Sequence, residues 1–328
     1  MSTEQVMFPS GGLRCAGDLS VPEGSSATGP LPAVVMGHSA HMVKEALAPS
    51  AQYLLEARFV VLAIDYRTIG SSEGQPRGQV FPDRYVEDIR NALTYLQSRP
   101  EVDSERLGLW GHSLGATVAV QVAAMDRRVK CVAGQNPSMF NGWRAMERGR
   151  GHVGVLAMLE LVERDLLERY RTGRGLRMPL LGKHPDPHIV EYLELAEQAF
   201  RTFDDEVEVE SLAHLLQWAP EDFLTRMAPT PLLMVSSRQD VVHDVEEVLD
   251  AYARAHEPKR LELLPHDERG LSIEPGLGES MALATEWFDE HLRRPRPLAV
   301  SPPATEVPER GLRPEFTNAE PGTNQAHG

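Results

Sequence analysis

The sequence predicts an α/β fold: a mostly parallel central sheet flanked by helices, with a helical cap inserted into it. Three observations carry that reading. Short apolar runs recur, at residues 32–36, 59–64 and, broken by Lys130, 129–133. Amphipathic helical spacing lies between them, as in residues 83–98, where Val86, Ile89, Leu93 and Leu96 share one face. The alternation stops after Gln135 and resumes at residues 231–235. A strand that is apolar throughout must be covered on both faces, which is the condition of a parallel sheet sandwiched by helices.

Taken in order, residues 4–22 predict two short strands at a sheet edge, followed by a turn rich in Gly, Ser and Pro over 23–30. A buried strand at 32–36 closes on Gly37, helical spacing covers 46–57, and a second buried strand at 59–64 closes on Asp65. Helix 83–98, strand 107–110, helix 114–124 and strand 129–133 continue the rhythm. Residues 136–227 show mostly helical pattern and more charge, including the acidic run at 204–210, and are expected to form the cap. Strand 231–235, helix 244–256, strand 260–264 and helix 279–292 complete the core, which therefore comprises residues 1–135 and 228–294. Pro, Glu, Gly, Thr and Asn dominate residues 295–328, which bear too little apolar surface to order themselves and are expected to be a disordered tail.

Of 328 residues, 41% are hydrophobic, enough for a sizeable core. Lys and Arg number 33 against 48 Asp and Glu, a formal net charge of −15, which argues against non-specific binding to nucleic acid or anionic membrane. Cys15, in a predicted edge strand, and Cys131, in a buried one, make neither a disulfide framework nor a metal cluster. Reduced thiols, no apolar run of about 18 residues and no basic or apolar leader pattern suit a cytoplasmic protein. No metal and no cofactor is expected.

The chemistry concentrates at Gly111-His112-Ser113-Leu114-Gly115, a Gly-x-Ser-x-Gly pattern between a predicted buried strand and a predicted helix. In that setting both glycines have a steric reason, because a side chain at either would clash with the neighbouring strand or helix. The sharp turn lifts the serine hydroxyl above the sheet, making Ser113 the candidate nucleophile. His112 flanks it with its side chain turned away from the crest. A hydroxyl needs a base, and in this arrangement acid and then histidine follow the serine in the chain. Asp240, at the carboxyl end of strand 231–235, is the candidate acid; as an alternative it could cap the following helix. His266, after strand 260–264, is the candidate base. His243 is set aside as too near Asp240 in sequence, and His291 as lying in the final helix.

Three segments carry a family likeness. Residues 34–45, Val-Val-Met-Gly-His-Ser-Ala-His-Met-Val-Lys-Glu, resemble the first-loop pattern of α/β hydrolases. Residues 64–74, Ile-Asp-Tyr-Arg-Thr-Ile-Gly-Ser-Ser-Glu-Gly, resemble their Asp-Tyr-Arg-Gly-x-Gly-x-Ser-x-Gly segment, and residues 99–110 their approach to the nucleophile. The likeness covers roughly 1–135 and 230–293. It is closest to capped hydrolases related to dienelactone hydrolase, including polyketide-pathway thioesterase and acyltransferase members. It implies the α/β-hydrolase fold and an oxyanion hole built from the backbone N–H groups of Ala40 and Leu114, with His38 as the first-loop histidine. The chain departs from the pattern at Ser39, where glycine is usual, at the bulkier His41 and Met42, and in the acidic loop after His266.

The expected reaction is acyl transfer: an ester or thioester of a small metabolite acylates Ser113, and water releases the acid. An acyltransferase, or a lyase or cyclase step in a polyketide-like pathway, could use the same triad, and a non-catalytic receptor on this fold is the alternative of a different class. His38, Ser39, His41, His112, Asn136, Met139, Phe140 and Trp143 are the candidate substrate-pocket residues. For Phe140 and Trp143, burial of the cap on the core is the competing role. The acyl group, the acceptor and the oligomeric state, a homodimer included, are not encoded in readable form.

Overall fold

The structure is a computed structural model, which describes residues 2–24, 29–180, 187–240, 242–267 and 270–293. The segment 295–328, expected to be a tail, lies outside the described residues. Those described all belong to one compact unit.

The first half of the chain builds the sheet as its apolar runs require. Strands β1 (Ser2–Ser10) and β2 (Leu13–Val21) form an antiparallel hairpin. Then follow β3 (Leu31–Gly37), α1 (Ala48–Glu56), β4 (Val60–Ile64), α2 (Pro82–Gln97), β5 (Val102–His112), α3 (Leu114–Met125) and β6 (Val129–Gln135). After the insertion come β9 (Leu232–Gln239), α7 (Val245–Arg254), β10 (Lys259–Asp267) and α8 (Gly276–Phe288). The eight strands lie in the order β1-β2-β4-β3-β5-β6-β9-β10, and from β4 to β10 every pairing is parallel. One correction concerns Cys15: its strand β2 pairs with both β1 and β4, so it is an inner strand and the edge is β1. Cys15 and Cys131 are both free and buried.

The two faces hold separate apolar layers. One, with Val35, Leu62, Ile89, Leu93, Leu109 and Val118, is covered by α2 and α3. The other, with Met36, Leu54, Trp110, Ala133, Met281 and Phe288, is covered by α1 and α8. Helices on both faces leave the carboxyl ends of the parallel strands as the open rim, where ligands bind in folds of this type.

Between β6 and β9 the chain forms α4 (Gly142–Thr172), β7 (Arg177–Pro179), α5 (Pro187–Ala199), β8 (Glu206–Glu208), α6 (Glu210–Gln217) and a 3₁₀ segment (Pro220–Arg226). Helix α4 is interrupted at Gly151, whose φ of 69° and ψ of 166° break the helical path. The region is not wholly helical: β7 and β8 pair antiparallel, and β8 lies inside the acidic run. The run alternates glutamate with valine, a period of two. Val207 and Val209 are buried, while Arg169 and Arg177 face the carboxylates of Glu206, Glu208 and Glu210. Among the described residues no helix is long and apolar enough to cross a membrane, and no group of three or more His, Cys, Asp or Glu side chains is gathered as for a metal ion.

Candidate active site

Ser113 stands between β5 and α3 with φ 55° and ψ −121°. Positive φ in a residue with a Cβ costs roughly 1–3 kcal/mol and persists only where the surroundings enforce it. Here the enforcement is steric: a Cβ on Gly111 would come within 2.4 Å of the Ala116 nitrogen, and one on Gly115 within 2.4 Å of the Gly37 carbonyl oxygen. The Ser113 N–H donates to the Gln135 carbonyl at 2.9 Å, tying the turn to β6. Its Oγ lies 3.0 Å from Ser138 Oγ. Leu114 opens α3, so its N–H has no carbonyl of its own helix to bond and lies at the positive end of the helix dipole.

The first loop is held from beneath by aromatic rings. Tyr85, from α2, donates its hydroxyl to the Ala40 carbonyl at 2.9 Å and so orients that peptide. Tyr85 stacks on Tyr66 with ring centroids 3.8 Å apart, and Tyr66 meets His38 edge-on at 4.6 Å. Tyr85 is a supporting residue that the sequence marked only as part of a helix. His38 is fully buried, with Nδ1 2.6 Å from the Ser39 carbonyl, which makes Nδ1 the protonated nitrogen. Burial drives its pKa down to about 3. Its Nε2 lies 3.9 Å from Asp65, but a neutral ring makes no ion pair. Asp65 accepts the backbone N–H groups of Lys44 and Ser71, at 2.7 and 2.8 Å. Burial still raises its pKa to about 7.

Beside the elbow a cavity of about 180 Å³ opens on the α1 side of the sheet. Its polar wall includes His38, Ser39, His112 and Gln135, and its apolar wall includes Met42, Trp110, Tyr192 and Phe200. His112 lines this cavity together with Trp110, two residues earlier on the same face of β5. Burial drives the His112 pKa down to about 3, with the neighbouring His243 acting in the same direction. Tyr192 and Phe200, from the insertion, were not foreseen, because nothing local to them marks which way the cap helix faces.

The remaining candidate pocket residues lie elsewhere. His41 donates to Asp205 at 3.2 Å and packs on Phe203, fastening the first loop to the insertion. Asn136 is buried, and its Oδ1 accepts the Ser237 N–H at 2.8 Å, which ties β6 to β9. The Met139 N–H donates to Glu247 on α7 at 3.2 Å. Phe140 is buried in the main core, the competing role considered for it, and Trp143 is 37% exposed on α4.

The side chains of Asp240 and His266 are each hydrogen-bonded to another partner. Asp240 Oδ1 accepts the N–H groups of Val242 and His243 at 2.8 and 2.7 Å, and its Oδ2 takes the His243 Nδ1–H at 2.8 Å. The helix cap is Asp244, which accepts from Glu246 N, so Asp240 does not cap α7. His266 donates through Nε2 to Glu279 on α8 at 3.0 Å. β10 continues through Asp267, and Pro265 and His266 fall in the irregularity between Leu264 and Asp267, where neither is paired with β9.

The buried histidines set a pH expectation. Both His38 and His112 are held below the ordinary 6.5. Each therefore contributes stability that is complete above about pH 6.5 and is lost as pH falls toward 3. Asp65, raised from 3.8 to about 7, works in the opposite sense over its own range, so the comparison must be with a variant. Melting temperature is expected to fall less steeply with acid in His112→Asn than in wild type. Parallel curves between pH 6.5 and 4 would show that His112 does not carry the effect.

A family model described as "Serine aminopeptidase, S33" matches residues 29–268. A polyketide transferase of Stachybotrys chlorohalonatus is 28% identical over 242 residues, covering 71% of this chain and 79% of its own. A thiohydrolase of Aspergillus aculeatus is 29% identical over 267 residues, covering 76% and 81%. Among solved structures, DcsB in complex with its substrate analogue superposes with a TM-score of 0.76 at 26% identity, covering 88% of this chain and 100% of its own.

Proposed function

The chain belongs to the serine aminopeptidase family of α/β hydrolases and is an enzyme of that fold, and from this premise we propose that Ser113 carries an acyl group between an ester or thioester of a small metabolite and an acceptor. The observation that carries the reading is the backbone of Ser113, kept at positive φ between two glycines that admit no side chain. Strain of this kind lifts a hydroxyl clear of the sheet and sets it beside the first N–H of a helix.

In the proposed reaction Ser113 Oγ forms a bond to the carbonyl carbon while its proton passes to an imidazole oriented by Asp240. The N–H groups of Leu114 and Ala40 receive the developing oxyanion. The carbon–oxygen or carbon–sulfur bond then breaks, and the imidazole returns the proton to the departing alcohol or thiol. Water, or the hydroxyl or amine of an acceptor, attacks the acyl-enzyme in the second half. The neighbouring cavity, apolar on one wall and polar on the other, suits a small acyl chain with a few polar groups. The names of the polyketide transferase and the thiohydrolase favour a thioester-linked acyl group and make transfer to a second metabolite the companion reading to hydrolysis.

An organophosphonate probe tests the nucleophile. Intact-protein mass should rise by one adduct in wild type, with the modified peptide containing Ser113, and should not rise in Ser113→Ala. Equal labelling of the two proteins would remove Ser113 from the reaction.

A further inference from the structure

Resting on the proposed roles of Ser113 and of the Ala40 N–H, we propose that His41 and Asp205 are positioning residues for the reaction, through whose contact the insertion sets the aim of the oxyanion donor.

Ala40 stands at the tip of a tight turn. The Met42 N–H donates to the Ser39 carbonyl at 3.3 Å, so residues 39–42 close a four-residue turn with Ala40 and His41 at its central positions. The loop lies against the elbow, since a Cβ on Gly115 would come within 2.5 Å of the His38 carbonyl oxygen. The peptide joining Ser39 to Ala40 bears the proposed donor at one end and the Ser39 carbonyl at the other. His38 Nδ1 holds that carbonyl at 2.6 Å. The next peptide, joining Ala40 to His41, is the one whose rotation distinguishes type I from type II turns. Tyr85 holds its carbonyl from beneath at 2.9 Å. Both of these supports come from the core.

The third support comes from the insertion. His41 is 6% exposed, and its Nε2–H is given to Asp205 at 3.2 Å. The ring also packs on Phe203, with centroids 5.5 Å apart. A side chain held so closely cannot shift without carrying the backbone of the turn with it. Asp205 is itself firmly mounted. Its carbonyl accepts the Leu180 N–H at 3.1 Å beside the β7–β8 pair, and the Glu208 N–H, three residues on, donates to the Gly78 carbonyl of the core at 2.9 Å. Asp204 and His38 also act electrostatically on the His41 ring. Asp204, however, is bonded to Arg177 at 2.8 Å, which leaves Asp205 as the carboxylate that meets the imidazole.

The same stretch of the insertion walls the cavity through Tyr192 and Phe200. The Phe203 N–H donates to the Phe200 carbonyl at 3.0 Å, so a group seated in the cavity and the strap on His41 bear on one piece of chain. The bulky residue of the first loop and the acidic run of the insertion are thereby parts of one device. An oxyanion donor acts on charge that develops only in the transition state, so a misaimed donor slows the reacting step and leaves prior binding unchanged. Deleting such a donor costs about 10²–10³ in rate, and tilting it should cost less, on the order of tenfold.

The test is saturation kinetics of Ser113 phosphonylation by the same organophosphonate probe, which gives a maximal labelling rate and a half-saturating concentration. The Asp205 side chain is 24% exposed, and Asp205→Ala keeps the backbone bond to Leu180. That variant should lower the maximal rate by about tenfold and hold the half-saturating concentration within about twofold. His41→Leu should lose as much, and His41→Gln, whose amide nitrogen can take the place of Nε2, should label within about threefold of wild type. Asp205→Ala combined with His41→Leu should be little slower than either alone, because the two side chains act as a unit. Hydrogen exchange in the peptide spanning residues 38–43 should quicken in Asp205→Ala. Asp204→Ala should match wild type. Melting curves accompany each variant, and if Asp205→Ala melts early the contrast between His41→Leu and His41→Gln decides. Wild-type labelling or exchange in Asp205→Ala, or equal loss in His41→Leu and His41→Gln, overturns the proposal. A loss confined to the half-saturating concentration, or one equally large in Asp204→Ala, overturns it too. Labelling that persists in Ser113→Ala overturns the nucleophile assignment instead.

Discussion

Ser113→Ala is expected to lower turnover of an activated ester or thioester by on the order of 10⁵–10⁶ while leaving the fold intact. The magnitude follows from the loss of covalent catalysis as a whole, since base and acid act only through the serine oxygen. What remains is the contribution of substrate binding and oxyanion donors, roughly 10³–10⁴ over water in comparable enzymes. Folding should survive because alanine retains the Cβ. The φ of 55° strains alanine as it strains serine, and the glycines on either side still admit the turn. The one bond lost is that with Ser138 Oγ, itself part-buried. Steady-state turnover and a melting curve on the same preparation check the prediction. More than about 1% residual turnover, in protein purified free of wild type, would mean that another group does the chemistry.

Asp88→Ala is expected to be the most destabilising single change. Asp88 is fully buried on α2, and its carboxylate collects the Arg67 N–H at 2.9 Å, Arg67 Nε at 2.9 Å, Arg67 Nη2 at 2.6 Å and the Ser10 hydroxyl at 2.5 Å. Removing it leaves the Arg67 guanidinium, whose side chain is 7% exposed, with the half-exposed Glu87 as its ion-pair partner. Breaking one side of a buried pair costs about 3–5 kcal/mol, because the surviving charge stays desolvated. In a domain of this size that corresponds to a fall in melting temperature of roughly 10 °C. The effect should reach the candidate site, since Arg67 follows Tyr66, the ring on which Tyr85 stacks beneath the Ala40 peptide. Replacing both partners by apolar residues, Asp88→Leu with Arg67→Met, should recover much of the loss. A melting temperature of Asp88→Ala within about 2 °C of wild type would contradict the account.

The parts of this protein legible in its sequence are those whose physical cause is local. The run at 59–64 is apolar at every position and that at 129–133 at every position but Lys130, the pattern of strands covered on both faces, and they are β4 and β6. The turn at Ser113 was legible because the clash that demands Gly111 and Gly115 arises within a few residues of chain and one neighbouring strand. The acidic run at 204–210 carried its strand signal too, in the alternation of Glu206 to Val209, but charge density masked it.

Tertiary structure decided what depends on pairing across the chain. Apolarity ends at Leu264, yet β10 runs on to Asp267 because the partner strand β9 extends to Gln239 and offers it a ladder. That extension, a matter of two strands and not of one, puts His266 in an irregularity of β10 just before the Asp267–Gln239 pair. It leaves Asp240 to the histidine three residues ahead of it, the one that spacing alone had set aside. Tyr85, Tyr192 and Phe200 likewise acquire their places from packing, since helical periodicity tells which residues share a face but not what that face will meet. Local sterics act through a few bonds and are written in the sequence. The partner of a buried carboxylate and the wall of a cavity follow from the sum of all contacts, which only the folded chain contains.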